Sequence, residues 1–471
     1  MIYLSVPLLT TSCDDDLDYT TSPSALLSFS SDTVKFDTVF TTIGSSTRIF
    51  KVYNYGDDPL MIPSILLASK GQAGFRVNVD GMSGTEFQNV EVRNGDSLYV
   101  FVEVTVNPRD ENTPFLLRDS LIFHLQSGVL QKVLLEAYGQ DMIVIRGEVF
   151  KNDTVLTGDR PYVVYDSLVV DNNATLRLTE GTRLYFHSGA GVNVRGTLRA
   201  EGTLAHPVVF RGDRLDNMFS YLPYDRLSNQ WKGIVLQSSS YDNYFNYTDI
   251  HGGTWGIMCD SSATDKDKLT IENSVIHNVG GCALSAIGGR IWIGNSELTN
   301  AGEHCLHVHG SDIQVVFSTL ANFYPWTLRG AAIRLSNERM PLVRADFRSS
   351  IITGYSSNEL MLTRNTEDTL SFNYSFSHCL LNIPSDSIQG ENYINVLSDS
   401  VGHTVSQITN FPHIDTDIFY YDFALDSLSR AMGNGCTDDA IRFYPLDRLG
   451  HNRLEDEKAD AGAREHVADN S

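Results

Sequence analysis

Between residues 28 and 140 apolar and polar residues alternate in short runs, and no stretch carries a helical period. Leu98, Val100, Val102, Val104 and Val106 fall at every second position, which places all five on one face of a strand. Similar runs occupy 33–40, 47–53, 75–79, 120–125 and 129–138, with turn residues between them. Short strands at roughly 8–12-residue spacing predict an immunoglobulin-like β-sandwich over 28–140. No Cys–Trp–Cys signature accompanies it, so antibody-type kinship is not implied, and a spacer role is expected.

From 143 to 400 the pattern changes to a repeat. Tyr247-Thr-Asp-Ile250-His-Gly252, Asn273-Ser-Val-Ile276-His-Asn278 and Asn295-Ser-Glu-Leu298-Thr-Asn300 share one form. Phe317-Ser-Thr-Leu320-Ala-Asn322, Ser349-Ser-Ile-Ile352-Thr-Gly354 and Ser377-His-Cys-Leu380-Leu-Asn382 continue it. The apolar anchor steps by 298 − 276 = 22 and 320 − 298 = 22, with steps of 26, 32 and 28 elsewhere. Asn or Gly stands two residues after every anchor, and both residue types tolerate a left-handed turn. Stacked coils would align Asn278, Asn300 and Asn322 about one strand spacing (~4.8 Å) apart, so their amides could bond along the column.

A second strand is expected after each anchor: Ile257-Met-Cys259, Leu284-Ser-Ala286, Leu306-His-Val308, Ile333-Arg-Leu335 and Leu360-Met-Leu362. The outer two residues of each triplet then point inward. Met258, Ser285, His307, Arg334 and Met361 form an outward column, and Asp260, Ile287, His309, Ser336 and Thr363 follow two positions on. His307, His309 and Arg334 would therefore sit together, with Glu359 beside them.

A period near 22 with a turn residue at a fixed place is what a β-solenoid requires. Leucine-rich repeats share the period, but their Leu-x-x-Leu-x-Leu framework is missing. The repeats, with Thr175-Leu-Arg-Leu-Thr-Glu-Gly181, Gly196-Thr-Leu-Arg-Ala-Glu-Gly202, His206-Pro-Val-Val-Phe210 and Trp231-Lys-Gly-Ile234, resemble the right-handed parallel β-helix family, the pectate-lyase-like solenoids. The resemblance covers about 250 residues. It implies an all-β chain, a β-sandwich followed by a right-handed parallel β-helix over 143–400. Gly450-His-Asn-Arg453 and Asp460-Ala-Gly-Ala463 resemble the closing part of such solenoids, so 401–471 is expected to cap the last coil.

Composition narrows the partners. The 471 residues carry 35 Lys+Arg against 58 Asp+Glu, a net charge of −23. Phosphate backbones need a basic surface, so a nucleic-acid partner is excluded. The start reads as an address. The apolar run 2–9 is far shorter than the roughly 20 residues of a membrane span. It leads to Thr10-Thr-Ser-Cys13 and three aspartates, and resembles a bacterial lipoprotein signal peptide (1–13) with Cys13 as the lipidated residue. Thr10 departs from the usual Leu. The acidic tether 14–27 resembles the export tag of some surface lipoproteins, which implies membrane attachment by lipid at the bacterial outer membrane. Cys259, Cys282, Cys305, Cys379 and Cys436 remain, without any C-x-x-C; an odd number leaves at least one thiol unpaired, and burial of most of them as small hydrophobes is expected.

In the β-helix family the outward face of such sheets forms a groove for extended polysaccharide. The resemblance therefore implies that His309 and Glu359 lie in the sugar groove, while Trp255, Tyr324 and Trp326, in or near turns, either stack on sugar rings or pack the turns against the coil. Were the protein a polysaccharide lyase, Arg334 would neutralise a uronate carboxylate while His307 or an arginine removed the neighbouring proton. Arg339-Met-Pro-Leu-Val-Arg344 resembles the Arg-x-Pro-x-x-Arg motif of pectate lyases, and adds Arg339 to the catalytic candidates. The partner Trp-Ile-Asp-His segment and a trio of calcium-binding carboxylates are missing, so calcium enters only with the lyase reading. Glycosidic hydrolysis needs paired carboxylates, and none is evident in the solenoid. His304, His307 and His309 lack a third ligand on an adjacent coil, and no metal is expected. The tyrosine-rich stretch 219–247 reads as an inserted loop overhanging the coils. The expected activity is non-catalytic contact with a surface glycan by a monomer needing no cofactor; lyase, hydrolase and protein adhesin remain open alternatives.

Overall fold

The computed structural model describes residues 18–325, 329–365, 369–399 and 410–467. Cys13 and Trp326 lie outside them. The chain divides into two compact units, Met1–Asp141 and Met142–Ser471. Among the described residues the only α-helix is Thr437–Arg442, and no helix is long and apolar enough to cross a membrane.

The first unit is a sandwich of two five-stranded sheets around one apolar core. Its strands include Thr33–Phe40, Arg48–Tyr53, Phe75–Val79, Ser97–Val104, Phe115–His124 and Leu130–Gln140. Leu98, Val100, Val102, Val104 and Val106 are all buried, as their alternation requires. The sequence pattern missed Leu60–Leu67 and Glu86–Val92, which pair with each other at one edge of their sheet. Leu60–Leu67 reads as a continuous apolar run broken by Pro63, and so offers no alternation to detect.

The second unit is a parallel β-helix. One face is an eleven-stranded parallel sheet that takes one strand from each coil, from Ile143–Arg146 to Leu397–Ser398. A seventeen-stranded sheet builds the other faces, also in parallel register, and two short antiparallel pairs, Asn217–Phe219 with Leu222–Pro223 and His413–Asp415 with Tyr420–Asp422, lie outside the coils. The inward columns are apolar: Ile250, Ile276, Leu298, Leu320, Ile352 and Leu381 are paired in turn along the eleven-stranded sheet. Each such fully buried side chain contributes roughly 1.5–3 kcal/mol. Where the long strands Ile257–Glu272 and Leu284–Gly294 turn a corner, Gly288 adopts φ 65°, and a Cβ there would lie 2.2 Å from the Ser262 carbonyl oxygen. Only glycine fits this position.

The turn chemistry differs from expectation. Two residues after the anchor, φ is positive at Gly252, Asn278 and Asn300 only. The residue that turns left-handed in coil after coil is instead the first of each repeat, namely Tyr247, Asn273, Asn295, Phe317 and Ser349, then His378. His378 reveals a one-residue slip in the sixth repeat: Ile352 pairs with Leu381, so Leu381 and not Leu380 is the anchor there. A buried serine ladder holds these turns. Ser274, Ser296, Ser318 and Ser350 each donate Oγ–H to the carbonyl two residues back. Each also accepts the backbone N–H of the equivalent residue one coil earlier. The expected asparagine column is short, a single Asn300–Asn278 contact at 3.4 Å, because Asn322 turns its amide onto the backbone of Ala301. A tighter amide ladder runs Asn246–Asn273–Asn295 at 2.8 and 2.7 Å.

The C-terminal segment meets the coils at their flank. It lies along the outer side of the eleven-stranded sheet, where Arg448 and Arg464 both pair with buried Glu297. Fully buried Arg453 bonds Asn295 and Glu465 and lies 4.2 Å over the Phe317 ring. Arg430 reaches the carbonyl of Ser398 in the last strand. Cys259, Cys282, Cys305 and Cys379 are buried and unpaired, and burial pushes the thiols of Cys259, Cys282 and Cys379 up to about 12.

Candidate functional site

Register places His307 between Ser285 and Arg334, and His309 between Ile287 and Ser336. The first column, Met258, Ser285, His307, Arg334 and Met361, therefore stands in register as the repeat implied, but in the second the register shifts between Cys259 and Ser262, so Asp260 has no pairing with Ile287, and Ser336 is buried. The rings of His307 and His309 are 3.9 Å apart, and those of His304 and His307 are 5.0 Å apart. His304 is fixed by donating Nδ1–H to the Ala331 carbonyl at 2.6 Å. Arg334 meets Glu338 at 3.5 Å, a partly exposed pair, while Arg339 is exposed. Two buried polar atoms here, Nε2 of His307 and Nε of Arg334, have no protein partner. Burial, then His309, His304 and Arg334 in that order, pushes the His307 imidazole down to about 3. His309 is lowered too, by burial and then by Arg339 and Arg334.

Other expected contributors lie elsewhere. Glu359 is fully buried, because the residue before a strand's first inward position also turns into the coil. Its carboxylate accepts from Arg329 at 2.7 and 3.1 Å and from the backbone N–H of Ala332 and Ser356. Tyr324 is 8% exposed and shares a hydrogen bond with Ser228, so it is no open platform for a sugar ring. Trp255 packs its ring over Gly281 in the turn before its strand. Arg344, the second arginine of the Arg-x-Pro-x-x-Arg motif, pairs with Asp312 at 2.7 Å while staying partly exposed. Leu362 is 36% exposed although inward by pattern, since its strand Leu360–Thr363 pairs along only one edge, with Ile333–Ser336.

A second cluster, unforeseen in the sequence, occupies the eleven-stranded sheet. Thr248–His251 and Val275–Val279 pair so that His251 and His277 are neighbours, with ring centroids 4.8 Å apart. Asp249, two residues before His251 and thus on the same face, meets His251 Nδ1 at 2.8 Å and His277 Nε2 at 3.1 Å. His251 Nε2 meets Asp225 at 2.9 Å, and Asp225 pairs with Arg211 at 2.5 Å. Burial opposes charge on both carboxylates, but the imidazoles outweigh it and hold Asp225 and Asp249 well below the usual carboxylate range. Between them His251, despite burial, rises to about 9. Asp225 comes from a segment inserted between coils. Its hairpin Asn217–Phe219/Leu222–Pro223 and the 3-10 turn Tyr224–Arg226 are tied down by Gln230, which donates to the carbonyls of Tyr224 and Leu227. The supposed 219–247 loop is therefore shorter: Asn243–Asn246 is a strand of the coil, and only Tyr221 and Tyr224 belong to the insertion.

No family model matches the chain, and no curated protein matches it. Among solved structures, the catalytic unit of a GH87 alpha-1,3-glucanase from Streptomyces thermodiastaticus aligns at 10% identity, covering 75% of this chain and 88% of that one, with a TM-score of 0.27. The PapD-like domain 7 of human CEP192 aligns at 13% identity over 30% of this chain and 97% of that domain, with a TM-score of 0.18. A family 123 glycoside hydrolase from Clostridium perfringens aligns at 5% identity and TM-score 0.18 over 24% of this chain; the chain spans about a quarter of that protein, 26%. Likenesses this distant add nothing to the reading of either cluster. By its own geometry the chain is a parallel β-helix protein with a β-sandwich unit.

Proposed function

We propose that the face formed by His307, His309, Arg334 and Arg339 binds an acidic glycan without cleaving it. The observation that carries this reading is the pair of partnerless atoms, His307 Nε2 and Arg334 Nε, at registered positions on adjacent coils. A buried polar group without a partner costs about 1–3 kcal/mol, and the groups a ligand carboxylate reaches directly are the exposed Arg339 and the half-buried Arg334 beside them. The two guanidinium groups of Arg334 and Arg339 suit uronate or similar acidic sugars. Among the described residues the ion pair within this patch is Arg334–Glu338. An imidazole lowered to about 3 is a poor acceptor for a carbon-bound proton, which weighs against the lyase alternative.

We further propose that the protein is a lipoprotein held at the bacterial outer surface through Cys13, with the immunoglobulin-like sandwich as a spacer. Binding to a panel of acidic and neutral polysaccharides tests the first proposal, with unsaturated-uronate absorbance followed in parallel. Retention on acidic glycans, lost in Arg334→Gln, is expected. Product formation that disappears in His307→Ala would establish lyase activity and overturn the non-catalytic reading. Silence across the panel would overturn glycan binding. Fatty-acid labelling that survives Cys13→Ser would overturn the anchor.

A further inference from the structure

We propose that Asp249, His251 and His277 form a binding site for a divalent transition cation of the zinc class, independent of the glycan face. Their three ligand atoms all lie within 4.8 Å of one another. Asp249 Oδ1 is 2.8 Å from His251 Nδ1 and 3.1 Å from His277 Nε2. Ligands about 2.0–2.1 Å from a tetrahedral zinc ion are roughly 3.3 Å from each other, so Asp249 would part from each imidazole by a few tenths of an ångström, while the two nitrogens, within 4.8 Å of each other, would settle toward that same spacing. Two imidazoles and one carboxylate are a donor set that suits zinc and its neighbours, and disfavours calcium and magnesium, which take oxygen ligands.

The surroundings fit the same purpose. A histidine that binds metal through one nitrogen usually gives the other N–H to a carboxylate, which fixes the ring and its tautomer. Asp225 does this at 2.9 Å from His251 Nε2, and Arg211 in turn holds Asp225. The sheet supplies rigidity, because Asp249 and His251 share one strand and His277 is registered beside His251 on the next. Access is uneven. The His251 side chain is nearly buried, whereas those of Asp249 and His277 are partly open, at 36% and 25%. An ion bound here would keep a coordination position toward solvent for water or a ligand oxygen.

The test uses the untagged full chain, stripped with chelator and titrated with zinc by calorimetry and with cobalt by visible absorption. About one ion per chain is expected, with the intense d–d bands of four- or five-coordinate cobalt. His277→Ala, at a partly exposed position, should abolish the bands while leaving the circular dichroism unchanged. Asp225→Asn should keep the stoichiometry but weaken affinity about 10–100-fold, as loss of such an outer carboxylate does elsewhere. A stripped wild-type protein that takes up no stoichiometric zinc or cobalt overturns the proposal. So does uptake that survives His277→Ala, or uptake lost in His307→Ala and His309→Ala, which would put the ion on the glycan face.

Discussion

Replacing Glu359 by Gln separates a buried strut from a ligand contact. Glu359 is inaccessible and its partner Arg329 nearly so, at 0% and 7% side-chain exposure. Oε1 accepts from Arg329 Nη2 and Ser356 N–H, and Oε2 from Arg329 Nη1 and Ala332 N–H. Gln removes the charge and turns an NH2 group toward two of these donors, leaving a buried guanidinium uncompensated. Breaking such a pair from one side costs about 3–5 kcal/mol. The solenoid unit, 142–471, has 471 − 142 + 1 = 330 residues. At about 2.1 cal/mol/K per residue its unfolding entropy is about 0.7 kcal/mol/K, so a unit melting as one should lose about 4–7 °C in Tm. Calorimetry gives the shift, and hydrogen exchange should show faster opening around 329–360. Affinity for acidic glycan should be that of the parent protein. An unchanged Tm together with a fall in glycan affinity would refute the reasoning and return Glu359 to the groove.

Arg334→Gln should give the mirror image, weaker acidic-glycan binding with an unaltered melt, and binding by the parent protein should weaken as salt rises. Ser296→Ala removes the acceptor of the Ser274 N–H and the donor to the Gly294 carbonyl, and should cost about 1–3 kcal/mol by chemical denaturation. An unchanged midpoint would show that the serine ladder is dispensable. Burial raises the pKa of Glu297, but Arg448 and Arg464 overcome it and bring the carboxyl down from 4.5 to about 2. A depressed carboxyl contributes stability that is full above about pH 4.5 and is lost as pH falls toward 2. Fluorescence of Trp292, whose indole donates to Tyr444 of the C-terminal segment, should report loosening in that window, and Glu297→Gln should flatten the response.

What the sequence disclosed followed from periodicity. A period of two marks a strand with one buried face, and a period of 22 marks a coil, so the inward columns and the placement of His307, His309 and Arg334 were legible. What it hid depends on neighbours far along the chain. Glu359 looked like an outward charge until Arg329, 30 residues earlier, proved to be its partner. Phe317 and Tyr247 gave no hint of a left-handed backbone, because the stacked coils and serine ladder impose it against local preference. His251 and His277 were visible at one repeat position, but Asp225 reaches them from an insertion without periodicity. Tyr324 reads as an aromatic in a turn, and only the Ser228 contact shows that the turn folds inward.

The hold of the C-terminal segment on Glu297 also sets an order of events during synthesis. Neighbouring coils bond across separations such as the 22 residues from Ser274 to Ser296, so they can zip up one after another as the chain emerges. The Arg448 and Arg464 contacts span 151 and 167 residues and cannot form until those arginines have been made. Until then Glu297, Phe317 and Thr319 face water on a half-finished surface. A chain stopped before Arg448 would keep its coils but leave this flank uncovered, a substrate for chaperones and proteases. Residues made this much later thus act as a seal on coils completed long before.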